Sequence, residues 1–290
     1  MAKDKFSAVW VSHTSINDYV HCPRAYFLKN VYKDAKTGHK VQIMSPHLAL
    51  GQAVHEVLDT LSVIPTESRF DQSLVLKFDD IWEQYSGNKG GFQNIDDEHA
   101  YKERGKAMLR KVMENPGPLK NLAVKIQQDL PFYWLSEEEN IILCGKVDWL
   151  EYNQLDDSVH IIDFKTGKKK EEIDSLQLPI YHLLVHHCQK RKVSKASYWY
   201  LETDNQLIEK ELPDLKIAHQ KVSEIARRIK LARKLDKFDC PQGSDGCVYC
   251  RSLEKIVRGG GELVHSNGQR DIYILPQEEM VEDELDSVIL

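Results

Sequence analysis

A chain of 290 residues is long enough to bury a sizeable core, and 41% hydrophobic with 29% charged residues excludes a largely disordered protein. The chain has no run of about 18 or more apolar residues, which excludes an ordinary membrane-spanning helix. The net charge of -6 excludes the generally basic surface of many nucleic-acid-binding domains. Lysines and arginines are nevertheless concentrated in the second half, which is compatible with a local basic groove.

The first residues, MAKDKFSAVWVSHTS, contain no long apolar segment followed by a cleavage site of small residues. We therefore expect no secretory signal and a cytoplasmic, reducing compartment. Disulfides are uncommon there, and clustered cysteines more often bind a metal or an iron-sulfur centre. Two of the six cysteines, Cys144 and Cys188, lie in apolar stretches and are expected to be core thiols. The other four lie at corners or loops: Cys22, Cys240, Cys247 and Cys250.

The first half of the chain is predicted to be mostly helical. Thr14 or Ser15 is expected to cap a first helix, and Pro23 is expected to begin a second one. The segment SPHLALGQAVHEVLDTLS has apolar residues at helical spacing, and Gly51 lies one turn before His55, where it removes bulk beside the imidazole. Further helices are predicted at about 70–86 and 96–114, and proline and glycine residues end this half at 116–118.

Segments rich in branched and aromatic residues begin at about residue 122 and predict strands. They are LAVKIQQDLPFYWL, IILCGKVDWLEY and SVHIIDFKT, followed, after a helix at about 175–190, by ASYWYLE and QLIEKEL, which predict a hairpin. A long basic helix at about 213–236 precedes the cysteine-rich loop. We expect residues 1–258 to form a single domain. Residues 259–290 are expected to extend it with a small hairpin and an acidic tail, QEEMVEDELD.

One predicted strand, VHIIDFKT, contains an acid within an apolar run. Because side chains alternate along a strand, Asp163 and Lys165 share one face. If this strand forms a hairpin with GKVDWLEY that closes near Leu155 and Asp156, paired positions sum to 311 and Asp148 lies opposite Asp163. Opposed buried carboxylates require a cation between them or a proton on one of them, and a divalent metal meets that need. The alternative is a solvated Asp–Lys pair at a strand end.

Two further features accompany these acids. Gln177 and Tyr181 are four residues apart on one face of the predicted helix, whose cap is Asp174 or Ser175. His55 offers an imidazole on an earlier helix. Each of these residues taken alone is equally compatible with local packing or a solvent-exposed side chain.

The ordered combination of motifs is more specific than any one of them. Gly51-x-x-x-His55, Gly145-x-x-Asp148, IIDFKTGK and Gln177-Leu178-x-x-Tyr181 resemble the RecB-like branch of the PD-(D/E)XK nuclease superfamily. The opening SINDYVHCPRAYFL is also similar to the start of that branch, so the resemblance covers about residues 12–252. It implies an α/β fold: a restriction-endonuclease-like core with a mixed central sheet flanked by helices, a helical N-terminal half and a C-terminal segment held by cysteines.

The resemblance also implies roles for individual residues. Asp148 and Asp163 would be the metal carboxylates, His55 and the backbone carbonyl of Phe164 further ligands, and Lys165 the cation beside the attacking water. Gln177 and Tyr181 would orient the active site and the substrate. The metal would be magnesium or manganese, which agrees with oxygen ligands, and a histidine tilts the preference toward manganese.

The four remaining cysteines match, in number and placement, those that hold a [4Fe-4S] cluster in several members of this branch. Cys22 is N-terminal, and Cys240, Cys247 and Cys250 are C-terminal. Their order of spacing is reversed, however: six residues and then two separate the last three, whereas the usual pattern is CxxC followed by a cysteine about six residues later. Four thiolates also suit structural zinc, so both centres remain open.

The resemblance predicts a metal-dependent deoxyribonuclease. We expect an exonuclease that hydrolyses phosphodiester bonds, prefers single-stranded DNA or DNA ends, and acts in DNA repair, recombination or CRISPR adaptation. The sequence contains no G-x-x-x-x-G-K-[ST] loop, so unwinding would depend on a helicase or CRISPR adaptation partner. The alternative is a catalytically weak single-strand DNA-binding protein of the same fold with a structural metal centre. A redox iron-sulfur protein or another metalloenzyme is a third class, for which we find no cofactor motif.

Overall fold

The computed structural model describes residues 4–172 and 174–276. Within these residues the chain forms an α/β fold with eight α-helices and ten strands. Two compact units are formed, the first by the described residues within Met1–His13, Leu50–Gln84 and His99–Glu224, and the second by those within Thr14–Ala49, Tyr85–Glu98 and Ile225–Leu290. The expected acidic tail lies outside the described residues.

The helices are α1 (His13–His21), α2 (Pro23–Tyr26), α3 (Pro46–Thr60), α4 (Leu74–Trp82), α5 (Ile95–Glu114), α6 (Gln177–Cys188), α7 (Leu215–Leu235) and α8 (Arg251–Val257). The strands are β1 (Val9–Val11), β2 (Lys40–Ile43), β3 (Phe132–Ser136), β4 (Ile141–Cys144), β5 (Trp149–Asn153), β6 (Ser158–Lys165), β7 (Lys192–Tyr200), β8 (Ile208–Lys210), β9 (Glu262–Ser266) and β10 (Arg270–Ile274). Among the described helices, none has the length and apolar character needed to cross a membrane.

The first unit is built around a mixed four-stranded sheet in the order β5-β6-β7-β8. Strand β6 pairs antiparallel with β5 and parallel with β7, and α6 forms the crossover between the two parallel strands. A parallel pair requires such a crossover, and β6 accordingly has the almost continuous apolar burial of a strand covered on both faces. A second sheet of this unit has the order β1-β4-β3. The mixed sheets and flanking helices confirm the predicted fold class.

The predicted hairpin register is confirmed. Trp149 pairs with Ile162 and Leu150 with Ile161, so paired positions sum to 311. The turn between β5 and β6 includes Asp157 at a positive φ of 49°, a conformation that aspartate tolerates better than most residues.

Three local predictions need correction. IILCGKVDWLEY is not one strand but two, β4 and β5, which lie in different sheets because the backbone leaves the extended ladder at 145–148. LAVKIQQDLPFYWL forms a strand only after Pro131, whose missing N–H cannot support a ladder, and the polar stretch before it makes only an isolated bridge at Ala123. The first helix begins at His13, so Thr14 and Ser15 lie inside its first turn instead of capping it.

The second unit contains the three-stranded sheet β2-β10-β9. Strand β10 lies in its middle, parallel to β2 and antiparallel to β9, so the segment after residue 258 is part of this sheet. The unit has its own apolar cluster, formed by Cys22, Ala25, Leu28, Val41, Cys247, Cys250, Leu253, Ile256 and Leu275. Three of the four clustered cysteines therefore lie inside a small hydrophobic core.

Candidate active site and cysteine centre

Asp163 is the most buried acid of the candidate site. It lies on β6 with 2% of its surface exposed, and its Oδ1 accepts a hydrogen bond of 2.8 Å from Gln177 Nε2. Its other oxygen, Oδ2, is buried and forms an ion pair of 3.1 Å with the Lys165 ammonium, and it has no other polar partner among the described residues. Burial, reinforced by the negative charge of Asp148, raises the pKa of Asp163 to about 7. In the metal-free protein this carboxyl therefore tends to keep a proton near neutral pH.

Asp148 lies just before β5, as the register requires for an approach to Asp163. Its Oδ2 accepts a hydrogen bond of 2.9 Å from the backbone N–H of Phe164, and its Oδ1 lies 3.4 Å from Nδ1 of His55 on α3. Burial disfavours the charged imidazole, but the hydrogen bond and the charge of Asp148 outweigh it, so the pKa of His55 is raised. The structure thus brings the predicted acids and the histidine together.

Lys165, two residues beyond Asp163, lies between two carboxylates. Its Nζ is 3.1 Å from Asp163 Oδ2 and 3.1 Å from Glu171 Oε2, and it also donates to the side-chain oxygen of Gln177. Burial opposes the charge on this lysine, but the two carboxylates outweigh burial and raise its pKa. The side chain is therefore a fixed ammonium group that can donate hydrogen bonds.

Gln177 and Tyr181 lie on one face of α6, as their spacing predicts. The Gln177 amide group donates to Asp163 and, at 3.2 Å, to the Tyr181 hydroxyl, while its oxygen accepts from Lys165. Burial raises the pKa of Tyr181 well above its usual range, so the hydroxyl stays neutral. The predicted cap, Asp174 or Ser175, is wrong: the N-cap is Leu176, which has no side-chain capping bond, and Ser175 Oγ only accepts from the Gln177 backbone N–H at 3.3 Å.

Glu171 is a residue of this site that sequence reasoning missed. It lies in the loop between β6 and α6, pairs with Lys165 and accepts a hydrogen bond of 2.8 Å from the Ser175 hydroxyl. Its backbone N–H donates to the Tyr200 hydroxyl at 2.7 Å, which fixes the loop against β7. The only sequence signal is an acid after a run of lysines. A loop has no periodicity from which the direction of the Glu171 side chain could be predicted.

Gly51 has a different neighbour from the one predicted. A Cβ atom built on it would lie 3.3 Å from Oγ1 of Thr166, the residue that follows β6. The missing side chain therefore makes room for the Thr166 side chain and not for the His55 imidazole.

A cleft of about 250 Å³ lies beside Asp148. Lys125 and Lys146 are on its wall, where Lys125 donates to the Ser62 hydroxyl at 3.0 Å and Lys146 pairs with Asp59 at 2.7 Å. The cleft is thus open to solvent, carries exposed cations and ends at one of the two carboxylates.

The residues of this site fit a divalent metal. Two carboxylates are close enough for the charge of one to raise the pKa of the other, one of them has a buried oxygen paired only with Lys165 among the described residues, and an imidazole nitrogen lies beside the other. Oxygen ligands with one nitrogen suit magnesium or manganese, and a bound dication would relieve the repulsion that raises the pKa of Asp163.

The four clustered cysteines converge in the second unit. Their sulfurs, those of Cys22, Cys240, Cys247 and Cys250, all lie within 4.8 Å of one another. Burial raises the pKa of the Cys22 thiol to about 11 and also raises that of Cys250. Burial acts in the same direction on half-buried Cys240, but the backbone N–H of Gln242 and the neighbouring thiols outweigh it and lower that pKa.

The remaining two cysteines lie elsewhere, in the first unit. Cys144 is buried on β4, with its Sγ 3.5 Å from the Val11 carbonyl oxygen, and burial raises its pKa to about 11. Cys188 ends α6 with its Sγ 3.5 Å from the Phe132 carbonyl oxygen. Cys144 has the buried surroundings expected of a core thiol, whereas Cys188 is only partly buried.

A family model described as the PD-(D/E)XK nuclease superfamily matches residues 10–253. The chain belongs to the PD-(D/E)XK nuclease superfamily. A search of curated proteins found no match to the chain. Among solved structures, a protein from Eubacterium rectale named "Putative exonuclease" is similar, with 13% sequence identity, a TM-score of 0.49, and coverage of 87% of this chain and 92% of the other.

Membership in the PD-(D/E)XK nuclease superfamily establishes the broad chemistry. Enzymes of this superfamily are nucleases that use divalent metals, and the family implies a DNA substrate. The matched region contains Asp148 and Asp163, the two acids of the candidate metal site. It also contains all four clustered cysteines.

Proposed function

We propose that this PD-(D/E)XK protein is a magnesium- or manganese-dependent exonuclease of the RecB-like branch that hydrolyses phosphodiester bonds in DNA. One observation carries the proposal: the Oδ2 of buried Asp163 has only the Lys165 ammonium, at 3.1 Å, as a partner among the described residues, and burial and the charge of Asp148 raise the pKa of this carboxyl. A carboxylate oxygen can accept more than one such interaction. An oxygen with this spare capacity close to a second acid suits a metal ligand.

In this proposal Asp148, Asp163, His55 and the backbone carbonyl of Phe164 hold the metal. The metal, when bound, lowers the pKa of the attacking water and neutralises charge that develops on the phosphate. The hydrogen bond from the Phe164 N–H keeps one oxygen of Asp148 in place and leaves the other facing His55.

Lys165 provides the fixed positive charge beside the reacting phosphate. Its raised pKa favours hydrogen-bond donation to the attacking water and to a phosphate oxygen. Glu171 and Gln177 hold this ammonium group from two sides, so it loses little freedom when substrate binds. Tyr181 supports the Gln177 amide through its hydroxyl.

The substrate in this proposal is single-stranded DNA or a DNA end. The cleft beside Asp148 would receive the strand, and Lys125 and Lys146 on its wall would contact phosphates. We propose a cytoplasmic role in repair, recombination or CRISPR adaptation together with a helicase or adaptation partner. Residues 1–258 would be the nuclease domain and residues 259–290 its extension.

The test is cleavage of end-labelled single- and double-stranded DNA with magnesium, manganese or no added divalent metal. Asp163→Asn and Lys165→Ala should lower the rate at least about 10²-fold, because each removes charge stabilisation of the reacting phosphate. Asp157→Asn is the matched control, since it makes the same exchange at the exposed turn of the same hairpin.

The two variants also separate the proposal from its alternative. Equal cleavage by the wild type and Asp163→Asn would contradict the assignment of the site. Metal-independent binding of single strands without detectable cleavage by the wild type would favour the binding protein of the same fold.

A further inference from the structure

We propose that Cys22, Cys240, Cys247 and Cys250 hold one structural zinc ion, and not the [4Fe-4S] cluster that the RecB-like resemblance implies. The proposal rests on the separation of the four sulfurs, on the backbone that fixes them and on the packing around them. It does not depend on the proposed nuclease function, because the cysteines share no residue with the Asp163 site.

The sulfur separations match those around a single tetrahedral ion. A zinc–thiolate bond is about 2.3 Å, so the four sulfurs of a tetrahedral site lie about 3.8 Å from one another. The Sγ atoms of Cys247 and Cys250 are 3.8 Å apart. All four sulfurs lie within 4.8 Å of one another, which leaves room for one ion at their centre.

An iron-sulfur cluster needs a wider opening. In a [4Fe-4S] cube each cysteine binds a different iron, and the cysteine sulfurs are therefore spread roughly 6 Å apart. A [2Fe-2S] cluster separates its two pairs of cysteines in the same way, because each pair binds its own iron. The longest sulfur separation here, 4.8 Å at most, is too short for either cluster.

The backbone around the C-terminal cysteines brings two of the sulfurs close together. The N–H groups of Cys250 and Arg251 both donate to the Cys247 carbonyl, at 3.1 and 2.9 Å, and form a tight turn. Gly246 precedes this turn with a positive φ of 73°, and a Cβ atom on it would lie 3.1 Å from the Cys250 sulfur. The turn therefore brings two sulfurs together on one side of the site.

Backbone N–H groups also point at the sulfurs themselves. Cys247 donates to the Cys250 sulfur at 3.2 Å, and Ala25 donates to the Cys22 sulfur at 3.4 Å. Such donors stabilise thiolates, which are the form that binds a metal. Free thiols within a core would have no comparable need of them.

Packing around the cysteines opposes expansion. Cys22, Cys247 and Cys250 are almost fully buried, and the apolar side chains of Leu28, Leu253 and other residues of the second unit's core surround them. Spreading the sulfurs to cluster distances would open cavities or overpack this core. A zinc ion would instead join residue 22 to residues 240–250 without moving the core.

The experiment is metal analysis of the full-length protein, purified without oxygen from cells supplied with both iron and zinc. We expect a colourless protein with one zinc per chain, no acid-labile sulfide, and a zinc X-ray absorption spectrum fitted by four sulfur neighbours at about 2.3 Å. Zinc at the carboxylate site would instead show oxygen and nitrogen neighbours, so the spectrum distinguishes the two sites.

Cys247→Ser should abolish the four-sulfur signal, whereas Cys188→Ser, outside the cluster, should retain it. If Cys247→Ser does not fold, displacement of zinc from the wild type by a mercurial reagent gives the same information, because one zinc should be released as four thiols react. A brown protein with about four irons and four sulfides per chain would overturn the proposal. Metal-free wild type with four freely reactive thiols would overturn it equally.

Discussion

Gln177 and Asp163 are 14 residues apart in the chain, yet the Gln177 amide donates a 2.8 Å hydrogen bond to one oxygen of the Asp163 carboxylate. That bond leaves the other carboxylate oxygen paired with the Lys165 ammonium at 3.1 Å and with no further partner among the described residues. Gln177 thereby decides which oxygen of Asp163 is available to a metal.

We expect Gln177→Ala to weaken manganese binding and to lower the cleavage rate, each by roughly 10- to 100-fold, because the carboxylate loses the group that orients it. Isothermal titration with manganese and single-turnover cleavage measure the two effects separately. Gln154→Ala, at the exposed hairpin turn, is the control and should leave both unchanged. Unaltered manganese affinity in Gln177→Ala would show that the glutamine does not orient the ligand.

Manganese affinity should rise with pH up to about 7. The pKa of Asp163 is raised to about 7 in the metal-free protein, so metal binding below that pH must displace a proton, and the raised pKa of His55 adds a second such group. The apparent association constant should therefore increase about tenfold or more per pH unit in this range and level off above it. Titrations in buffers of different ionisation enthalpy count the released protons. An affinity that does not change between pH 5.5 and 7 would contradict this expectation.

Asp163→Asn should stabilise the protein in buffer without added divalent metal. A carboxyl whose pKa is raised on folding contributes stability below its ordinary pKa, and this contribution is lost as pH rises through about 7. The loss accumulates between about pH 4 and pH 7, so the gain in the variant should be partly present at pH 5 and reach the order of 1–3 kcal/mol at pH 8. Urea denaturation at the two pH values measures it. A destabilised variant at pH 8 would mean that the Asp163 charge is already compensated by Lys165.

Glu171→Ala should test the role of the residue that the sequence did not reveal. Removing this carboxylate takes away one of the two charges that raise the pKa of Lys165, so that pKa should fall. We expect about a tenfold loss of cleavage rate and a pH–rate profile whose alkaline limb moves to lower pH. Glu172→Ala, the exposed neighbouring acid, is the matched control. A uniform loss at every pH would point to a disordered loop and not to an effect on Lys165.

Gly105→Ala should destabilise the fold although alanine favours helices. In α5 a Cβ atom at this position would lie 2.3 Å from Cζ of Phe78, which is fully buried. Overpacking of this kind costs about 1–3 kcal/mol, more than the roughly 1 kcal/mol gained in helix propensity. Chemical denaturation measures the change, and Phe78→Leu in the same chain should recover part of it. A stabilised Gly105→Ala protein would show that the Phe78 ring can move aside.

Much of the candidate site follows from local periodicity. The alternation of β6 puts Asp163 and Lys165 on one face, and the helical repeat of α6 puts Gln177 and Tyr181 on another. The hairpin register also follows from sequence, because the apolar pattern and the polar turn leave one arrangement that buries the right face. These features depend on neighbours within a few residues of each other.

Other features depend on contacts between distant segments. Residues 145–148 separate β4 from β5, which lie in different sheets. The apolar pattern of the sequence does not indicate that the strand is interrupted there. Glu171 reaches Lys165 only because its loop is fixed against β7 by Tyr200. No local propensity specifies either result.

The sequence by itself determined the acids of the candidate metal site, their lysine and the helix that supports them, because strand and helix repeats fix which side chains share a face. The tertiary structure alone decided which oxygen of Asp163 Gln177 binds, which loop acid pairs with Lys165 and how closely the four sulfurs approach. Each of these features is a distance between residues from different segments of the chain. Packing and hydrogen bonds between those segments set such distances, and the spacing of residues in the sequence does not encode them.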